Sequence, residues 1–150
     1  MIITVMYKKI LVPYDGSSNA EKAVGHAIEL AKALPETPQI TLLNVIDVHY
    51  IVQIAESIYV DMESLEAYSR SVLTAMKEKI KDDIPVEIAV KSGRPWEEIV
   101  NEAEEGKYDL IVMGSHGLGF IDRLLVGSTT QGVLRHAKCP VLVINSDREG

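Results

Sequence analysis

The chain has 150 residues, of which 47% are hydrophobic, and this size is typical of one compact domain. Its formal net charge of −7 argues against a surface that neutralises a nucleic acid or an anionic membrane, and one Trp, one Phe and six Tyr offer little material for base stacking. A single cysteine, Cys139, excludes an intramolecular disulfide and a cysteine-based zinc cluster. No apolar run reaches the roughly 20 residues of a membrane span, and the start lacks a signal-peptide pattern. We therefore expect one cytoplasmic domain over residues 1–150, with neither nucleic acid nor membrane as partner.

Five short aliphatic runs predict the strands of one sheet. Residues 86–90 alternate between apolar and polar side chains, which predicts a strand near the edge. The other runs are almost continuously apolar, as strands covered on both faces are; they span residues 9–12, 40–46, 110–113 and 141–144.

Segments of helical period separate these strands and predict four helices. The first begins at Ser18, with Glu21 three residues later in a capping-box pattern, and the third follows Pro95 and ends at Gly106. Strands and helices that alternate with short connections predict a single-domain, three-layer α/β/α fold around a five-stranded, mainly parallel, doubly wound sheet. The last helix begins near Gly127, and its expected inward residues are Thr130, Val133, Leu134 and Ala137.

Residues 47–60 fit this pattern less well, because they are apolar without a clear period. We interpret them as a variable insertion within the domain, either an extra helical turn or a surface that faces an unknown protein partner. The rest of the chain has no internal repeat or low-complexity tract.

Ligands of open α/β sheets bind beyond the carboxyl ends of the strands, where the strand order reverses. Three predicted loops at these ends carry polar or glycine residues. Pro13, Tyr14 and Asp15 follow the first strand, and residues 44–47 end the second. The loop after the fourth strand contains Gly114, Ser115, His116, Gly117 and Gly119, and the last helix opens with Gly127, Ser128 and Thr129.

The loop after the fourth strand has the composition of an anion-binding site. Its glycines tolerate positive φ and let a ligand approach the main chain, while the start of the last helix offers backbone N–H groups at its positive end. Hydroxyl groups of Ser115, Ser128 and Thr129 add hydrogen bonds, and Arg123 is within reach of a terminal phosphate. The sequence lacks both the P-loop motif and a G-x-G-x-x-G after the first strand, which excludes P-loop NTPases and dinucleotide-binding Rossmann proteins.

These residues resemble the universal stress protein family (UspA-like), in its ATP-binding subgroup. Its motif G-x2-G-x9-G-[S/T] is matched by Gly114, Gly117, Gly127 and Ser128. The resemblance spans nearly the whole chain and implies a Rossmann-like fold of the adenine nucleotide alpha hydrolase-like type. Further matching segments are KKILVPYDGSSNAEKAV, TLLNVID, SGRPWEEIV, DLIVMGSHG and LLVGSTTQGVLRHAKCPVLVI.

The resemblance implies ATP as the ligand, together with Mg²⁺ or Mn²⁺. Asp15 matches a residue that meets the adenosine part and assists the cation, and Val45 matches a position whose backbone recognises the adenine edge. Residues 113–117 match the loop along ribose and phosphates, and the start of the last helix matches the phosphate-binding part. The implied nucleotide-binding residues are Pro13, Tyr14, Asp15, Val45, Met113, Gly114, Ser115, His116, Gly117, Gly119, Gly127, Ser128 and Thr129.

Two departures from the family pattern bear on this site. Asp122 stands where many relatives have a basic residue, which implies weaker attraction for a triphosphate. Asn44 replaces a frequent histidine before Val45 and alters the wall of the pocket.

The resemblance implies a nucleotide-dependent sensor or regulator in stress response that is not an enzyme. It also implies a homodimer through antiparallel pairing of the last strand. The residues expected in the dimer interface are Val141, Leu142, Val143 and Ile144.

The residues leave alternative functions open. One alternative is a slow autophosphorylating phosphotransferase or ATPase that uses Ser128, with His116 as its helper. Another is a nucleotide-independent module that docks a partner on residues 47–60. A receiver domain fits less well, because no lysine follows the final strand.

Several other candidates favour structural roles. Cys139 precedes a proline at a strand entrance, where a small buried thiol is more typical than a nucleophile. Of the histidines only His116 lies in the predicted site, so we expect no histidine metal centre. Trp96 is interpreted as a core anchor of its helix, and His136 as a complement to the negative end of the last helix.

Overall fold

A computed structural model describes residues 6–49, 51, 61–117 and 126–146. Within these ranges strands and helices alternate, as the sequence predicts. No helix there combines the length and the apolar character that crossing a membrane requires. In chain order the elements are β1 (Lys9–Pro13), α1 (Ser18–Ala33), β2 (Gln39–Asp47), α2 (Met62–Lys79), β3 (Val86–Gly93), α3 (Pro95–Glu105), β4 (Leu110–Gly114), α4 (Ser128–His136) and β5 (Val141–Ile144).

The described strands form one sheet in the order β3-β2-β1-β4-β5, and every neighbouring pair is parallel. This confirms the predicted doubly wound fold, with β3 at an edge. The chain winds outwards from β1 through β2 to β3 on one side and through β4 to β5 on the other. The strand order therefore reverses between β1 and β4, where open sheets of this kind form a crevice.

Helices cover both faces of the sheet and make the three-layer arrangement. Ile10 and Val12 of β1 pack with α1 and α2 on one face, whereas Leu11 between them packs with α3 and α4 on the other. This alternation follows from the two-residue period of a strand. All three side chains have no exposed surface, so β1 lies at the centre of the core.

Three local expectations are corrected by the structure. Ser17, not Ser18, caps α1, because the Ser17 hydroxyl oxygen accepts a hydrogen bond from Ala20 N at 3.1 Å. Leu134 is 50% exposed, because the buried face of α4 is formed by Thr130 and Val133. Asp47 ends β2 instead of beginning the insertion, while residues 50 and 52–60 of that predicted segment lie outside the described residues.

The other edge of the sheet is β5, and its exposure also differs from the expectation. The apolar run predicted a strand covered on both faces, but Leu142 is 40% exposed at this edge. The expected pairing of Val141–Ile144 with a second copy stays a prediction.

Two glycines inside helices have opposite surroundings, and we expect opposite effects of alanine at them. A Cβ at Gly25 of α1 would meet nothing within 4 Å, whereas one at Gly132 of α4 would lie 2.4 Å from Cγ of Trp96. Gly25→Ala should raise the free energy of unfolding by about 0.5–1 kcal/mol, because alanine loses less backbone entropy on folding. Gly132→Ala should lower it by about 1–3 kcal/mol through overpacking against the indole ring.

Urea denaturation of both variants beside the wild-type chain measures these changes. The midpoint of Gly25→Ala should lie above that of the wild type and the midpoint of Gly132→Ala below it. A stabilised Gly132→Ala variant would contradict the packing of Trp96 against α4.

Candidate functional site

A cavity of about 820 Å³ opens at the carboxyl ends of β1, β2 and β4. It lies at the point where the strand order reverses, and its volume is within the range of roughly 300–1,000 Å³ that is common for small-molecule sites. Most of the predicted binding residues come together here. Those that line the cavity are Pro13, Tyr14, Asp15, Val45, Met113, Gly114, His116, Gly117, Gly127, Ser128 and Thr129.

Of the predicted residues that the structure describes, Ser115 is not part of this lining. Ser115 is 5% exposed and lies behind the wall, where its backbone N–H donates to Ile144 O at 2.9 Å. Gly119 and Arg123 lie outside the described residues, so their predicted roles stay predictions.

The cavity is also lined by residues that the sequence analysis does not include among the nucleotide-binding residues. Asn44 and Asp47 belong to the predicted loop of residues 44–47, so their position at this edge is a signal within the sequence. Pro95 and Ile99 open α3 directly after β3, whose carboxyl end lies at the same edge of the parallel sheet. Asn44 lines the cavity, as its predicted place in the pocket wall implies. The lining residues without a predicted contact are Ser17, Ala20, Leu43, Asp47, Pro95, Ile99 and Thr130.

One half of the cavity is apolar. Leu43 and Val45 come from β2, Pro95 and Ile99 from the first two turns of α3, and Met113 from β4. Leu43, Ile99 and Met113 are buried in the core of the sheet, so this wall is firmly supported. Such a wall suits a flat, weakly polar ring.

Two glycines of the loop after β4 lie so close to neighbouring side chains that a Cβ atom at either position would collide with them. A Cβ at Gly117 would lie 2.3 Å from the Asp15 carboxylate oxygen Oδ2, and one at Gly114 would lie 2.4 Å from Oδ1 of Asn19. Neither glycine has a positive φ, so of the two properties that favour glycine in this loop, tolerance of positive φ is not used at these two positions. Close approach is therefore the physical reason for glycine at both positions.

The loop is closed onto the start of α4 by two hydrogen bonds. Gly127 N donates to Ser115 O at 2.8 Å, and the Thr130 hydroxyl donates to Gly114 O at 2.9 Å. Gly127 is the N-cap of α4, and within the described residues no side chain caps this helix and no acidic residue stands in its first turn. The first-turn N–H groups have no partner within the helix, so this end of the cavity favours an anion.

Among the described residues, the charged side chains that line the cavity are carboxylates. Asp15 accepts a hydrogen bond from Ser17 N at 2.9 Å through Oδ1, which orients its side chain beside Gly117. Asp47 also lines the cavity, and the described lining contains neither Lys nor Arg. In the part of the chain that the structure describes, no three His, Cys, Asp or Glu side chains come together as metal ligands.

Asn44 joins the floor of the cavity to α2. Its Nδ2 donates to Tyr14 O at 2.8 Å, and its Oδ1 accepts a hydrogen bond from the Ser69 hydroxyl. Burial raises the pKa of the Tyr14 phenol, and the nearby carboxylates of Glu21 and Asp15 add to the effect. The Asn44 amide is thus oriented by α2 and by the main chain, and it supports the turn that carries Asp15.

The other candidate residues have contacts outside the cavity. Cys139 is partly buried against the core on the α3 and α4 face, and burial raises the pKa of its thiol, which lowers the fraction of reactive thiolate. Trp96 stacks on His136 with ring centroids 4.3 Å apart and an interplanar angle of 21°. Nδ1 of His136 lies 2.9 Å from Gly132 O, next to the last turn of α4.

A parallel sheet with a cavity at its switch point defines a Rossmann-like α/β protein. Residues 6–145 match the model of the universal stress protein family. The universal stress protein MJ0531 of Methanocaldococcus jannaschii is 34% identical over 147 residues, which cover 96% of this chain and 85% of the relative. The chain belongs to the universal stress protein family.

Solved structures agree with this assignment. The structure of the hypothetical protein MJ0577, also from M. jannaschii, has a TM-score of 0.83 at 34% identity and covers 97% of this chain and 100% of its own. A universal stress protein in complex with cAMP has a TM-score of 0.64 at 25% identity and covers 94% of this chain and 98% of its own.

Proposed function

We propose that the cavity binds ATP and that the protein acts as a nucleotide-dependent regulator in stress response. The proposal rests mainly on one observation: an apolar wall, a glycine loop and the N-terminus of α4, which no described side chain caps, line the same cavity. The cAMP bound by a related universal stress protein supports an adenine nucleotide as the ligand class.

The two halves of the cavity suit the two halves of a nucleotide. The adenine ring is proposed to lie against the apolar wall, where the backbone of Val45 is available to its polar edge. The phosphates are proposed to lie at Gly127, Ser128 and Thr129, where N–H groups and the helix dipole attract negative charge. The hydroxyl groups of Ser128 and Thr129 add donors at the same place.

A divalent cation bound with the nucleotide fits this proposal. Two carboxylates line the cavity without a described Lys or Arg, so a bare triphosphate would face like charges. Mg²⁺ and Mn²⁺ prefer oxygen ligands and carry the opposite charge. Asp15 is the residue proposed to assist the cation, since its carboxylate stands beside Gly117 in the glycine loop.

ATP binding is tested with the purified chain. Nucleotide released by denaturation is identified by chromatography, and the nucleotide-free protein is titrated calorimetrically with ATP and Mg²⁺, with cAMP as competitor. We expect Gly117→Val to weaken ATP binding at least about tenfold, because its side chain would collide with the Asp15 carboxylate and fill the loop.

Gly25→Ala is the matched control, since Gly25 lies on an exposed part of α1 with open space around it. It should bind ATP like the wild type. No released nucleotide, together with no binding tighter than about 1 mM, would disprove the proposed function.

We also propose that the protein is not an enzyme, and the competing possibility rests on Ser128. Its hydroxyl is exposed at the first position of α4, on the cavity lining. Nδ1 of His116, the expected helper, lies 2.9 Å from the hydroxyl oxygen of Ser115. This contact supports a structural role for the His116 imidazole in the cavity wall, instead of a role as the base for Ser128.

Incubation with ATP labelled at the γ-phosphate distinguishes binding from phosphoryl transfer. We expect no protein labelling above that of Ser128→Ala, because activating a serine hydroxyl needs an adjacent base. Labelling that is present in the wild type and lost in Ser128→Ala would establish the phosphotransferase instead.

We further propose that the protein acts in the cytoplasm as a homodimer paired through β5. The edge position of β5 and the exposed side chain of Leu142 support this, because a second strand would cover both. Leu142→Lys should convert the dimer to a monomer in sedimentation equilibrium, since a charge on an edge strand opposes pairing.

Leu134→Lys provides the control, because Leu134 is also half-exposed but lies on α4. This variant should remain dimeric. A monomeric wild-type chain, or a Leu142→Lys dimer of unchanged strength, would refute pairing through β5.

A further inference from the structure

We infer that Asn19 is a positioning residue of this site, whose buried side-chain amide holds the glycine loop in the shape that receives phosphates. Asn19 is the second residue of α1 and is 6% exposed. It does not line the cavity, so it acts through the residues that it contacts. The inference rests on the proposed nucleotide binding for its functional part and on the contacts of Asn19 for its structural part.

Both ends of the Asn19 amide are engaged by parts of the chain that are far apart in sequence. Oδ1 accepts hydrogen bonds from His116 N at 3.0 Å and from the Ser115 hydroxyl at 3.4 Å. Nδ2 donates to Ile144 O at 3.1 Å. One side chain therefore ties the loop after β4 to the end of β5 and to the first turn of α1.

The same contacts reach the phosphate end of the cavity. Ser115 N donates to Ile144 O at 2.9 Å, beside the bond from Asn19, and Ser115 O accepts from Gly127 N at 2.8 Å. Movement of Ser115 would thus displace Gly127, the N-cap of α4. Asn19 is two hydrogen bonds away from the helix start that is proposed to bind phosphate.

Buried polar side chains are concentrated around this point. Among the described residues, the buried polar side chains include Ser17, Asn19, Ser115 and Thr130, each of which makes a hydrogen bond at this end of the sheet. Such networks give a defined geometry when every member is satisfied, and they are costly when a partner is lost. The Asn19 side chain has three partners in the described network, more than the side chain of Ser17, Ser115 or Thr130.

Packing adds a second constraint on Asn19. A Cβ at Gly114 would lie 2.4 Å from Oδ1 and 2.7 Å from Cγ of Asn19. The first glycine of the loop is therefore required by the place that the Asn19 amide occupies. Gly114 and the Asn19 amide therefore pack directly against each other, and each limits the size of the side chain at the other position.

The test compares Asn19→Ala with Tyr108→Phe in the full chain. Tyr108→Phe also removes a buried hydrogen bond, from the phenol to the Thr41 hydroxyl at 2.9 Å, but Tyr108 and Thr41 are outside the cavity lining. Dissociation constants for ATP and for adenosine are measured for both variants. Asn19→Ala should weaken ATP at least about tenfold and adenosine less than about twofold, because only the phosphate end loses its support, while Tyr108→Phe should change neither.

Hydrogen exchange without nucleotide gives a readout that is independent of binding. Asn19→Ala should speed amide exchange at residues 114–117 and 126–129, whereas Tyr108→Phe should leave these segments as in the wild type. Unchanged exchange there, or equal losses of ATP and adenosine affinity, would overturn the positioning role. If the wild-type chain binds no ATP and Asn19→Ala still speeds exchange at these residues, the proposed function is wrong and the role of Asn19 in holding the loop stands.

A second pair of variants, Gly114→Ala alone and combined with Asn19→Ala, tests the packing of the Asn19 amide against Gly114. Gly114→Ala should lower the melting temperature by collision with the Asn19 amide, and adding Asn19→Ala should restore part of that loss, because the smaller side chain frees the space. ATP affinity should stay weak in the double variant. A double variant no more stable than Gly114→Ala, or one that binds ATP like the wild type, would contradict the proposal.

Discussion

The cavity depends on one main-chain hydrogen bond, from Gly127 N to Ser115 O. It joins the end of β4 to the N-cap of α4 and so brings a strand tip and a helix start to the same side of the sheet. The Thr130 hydroxyl makes a second connection, one residue further into β4 and three residues further into α4, by its bond to Gly114 O. With both bonds in place, the helix start and the glycine loop form one surface instead of two separate ends.

This arrangement shows why a negative net charge does not by itself oppose an anion at the cavity. The net charge of −7 describes the whole surface, whereas a helix start acts over a few ångströms through dipoles that carry no net charge. The described lining has carboxylates and no Lys or Arg. Within the described residues, the groups that favour a negative charge at the cavity are therefore the backbone N–H groups at the start of α4, with the hydroxyl groups of Ser128 and Thr129 beside them.

Much of the fold and part of the site follow from sequence, for physical reasons that differ by residue. Aliphatic runs predict the strands, and parallel order places Asp15, Val45 and Gly114 at one edge whatever the details of packing. Ile99 lies on the cavity wall through the packing of α3 against the core of the sheet, a tertiary contact that no local pattern specifies. Asn19 lies 97 residues from His116 along the chain, so their contact leaves no local sequence signal. The crowding of Gly117 by the Asp15 carboxylate is likewise invisible to local composition.

The stacking of Trp96 on His136 has an optical consequence. The chain contains one tryptophan, and its ring lies between α3 and α4 against the imidazole and Gly132. Indole emission responds to the distance and orientation of a neighbouring ring, so the tryptophan fluorescence of this protein reports on the contact between these two helices. Since α4 begins at the cavity and ends at this stack, the protein contains its own spectroscopic probe of any shift of that helix.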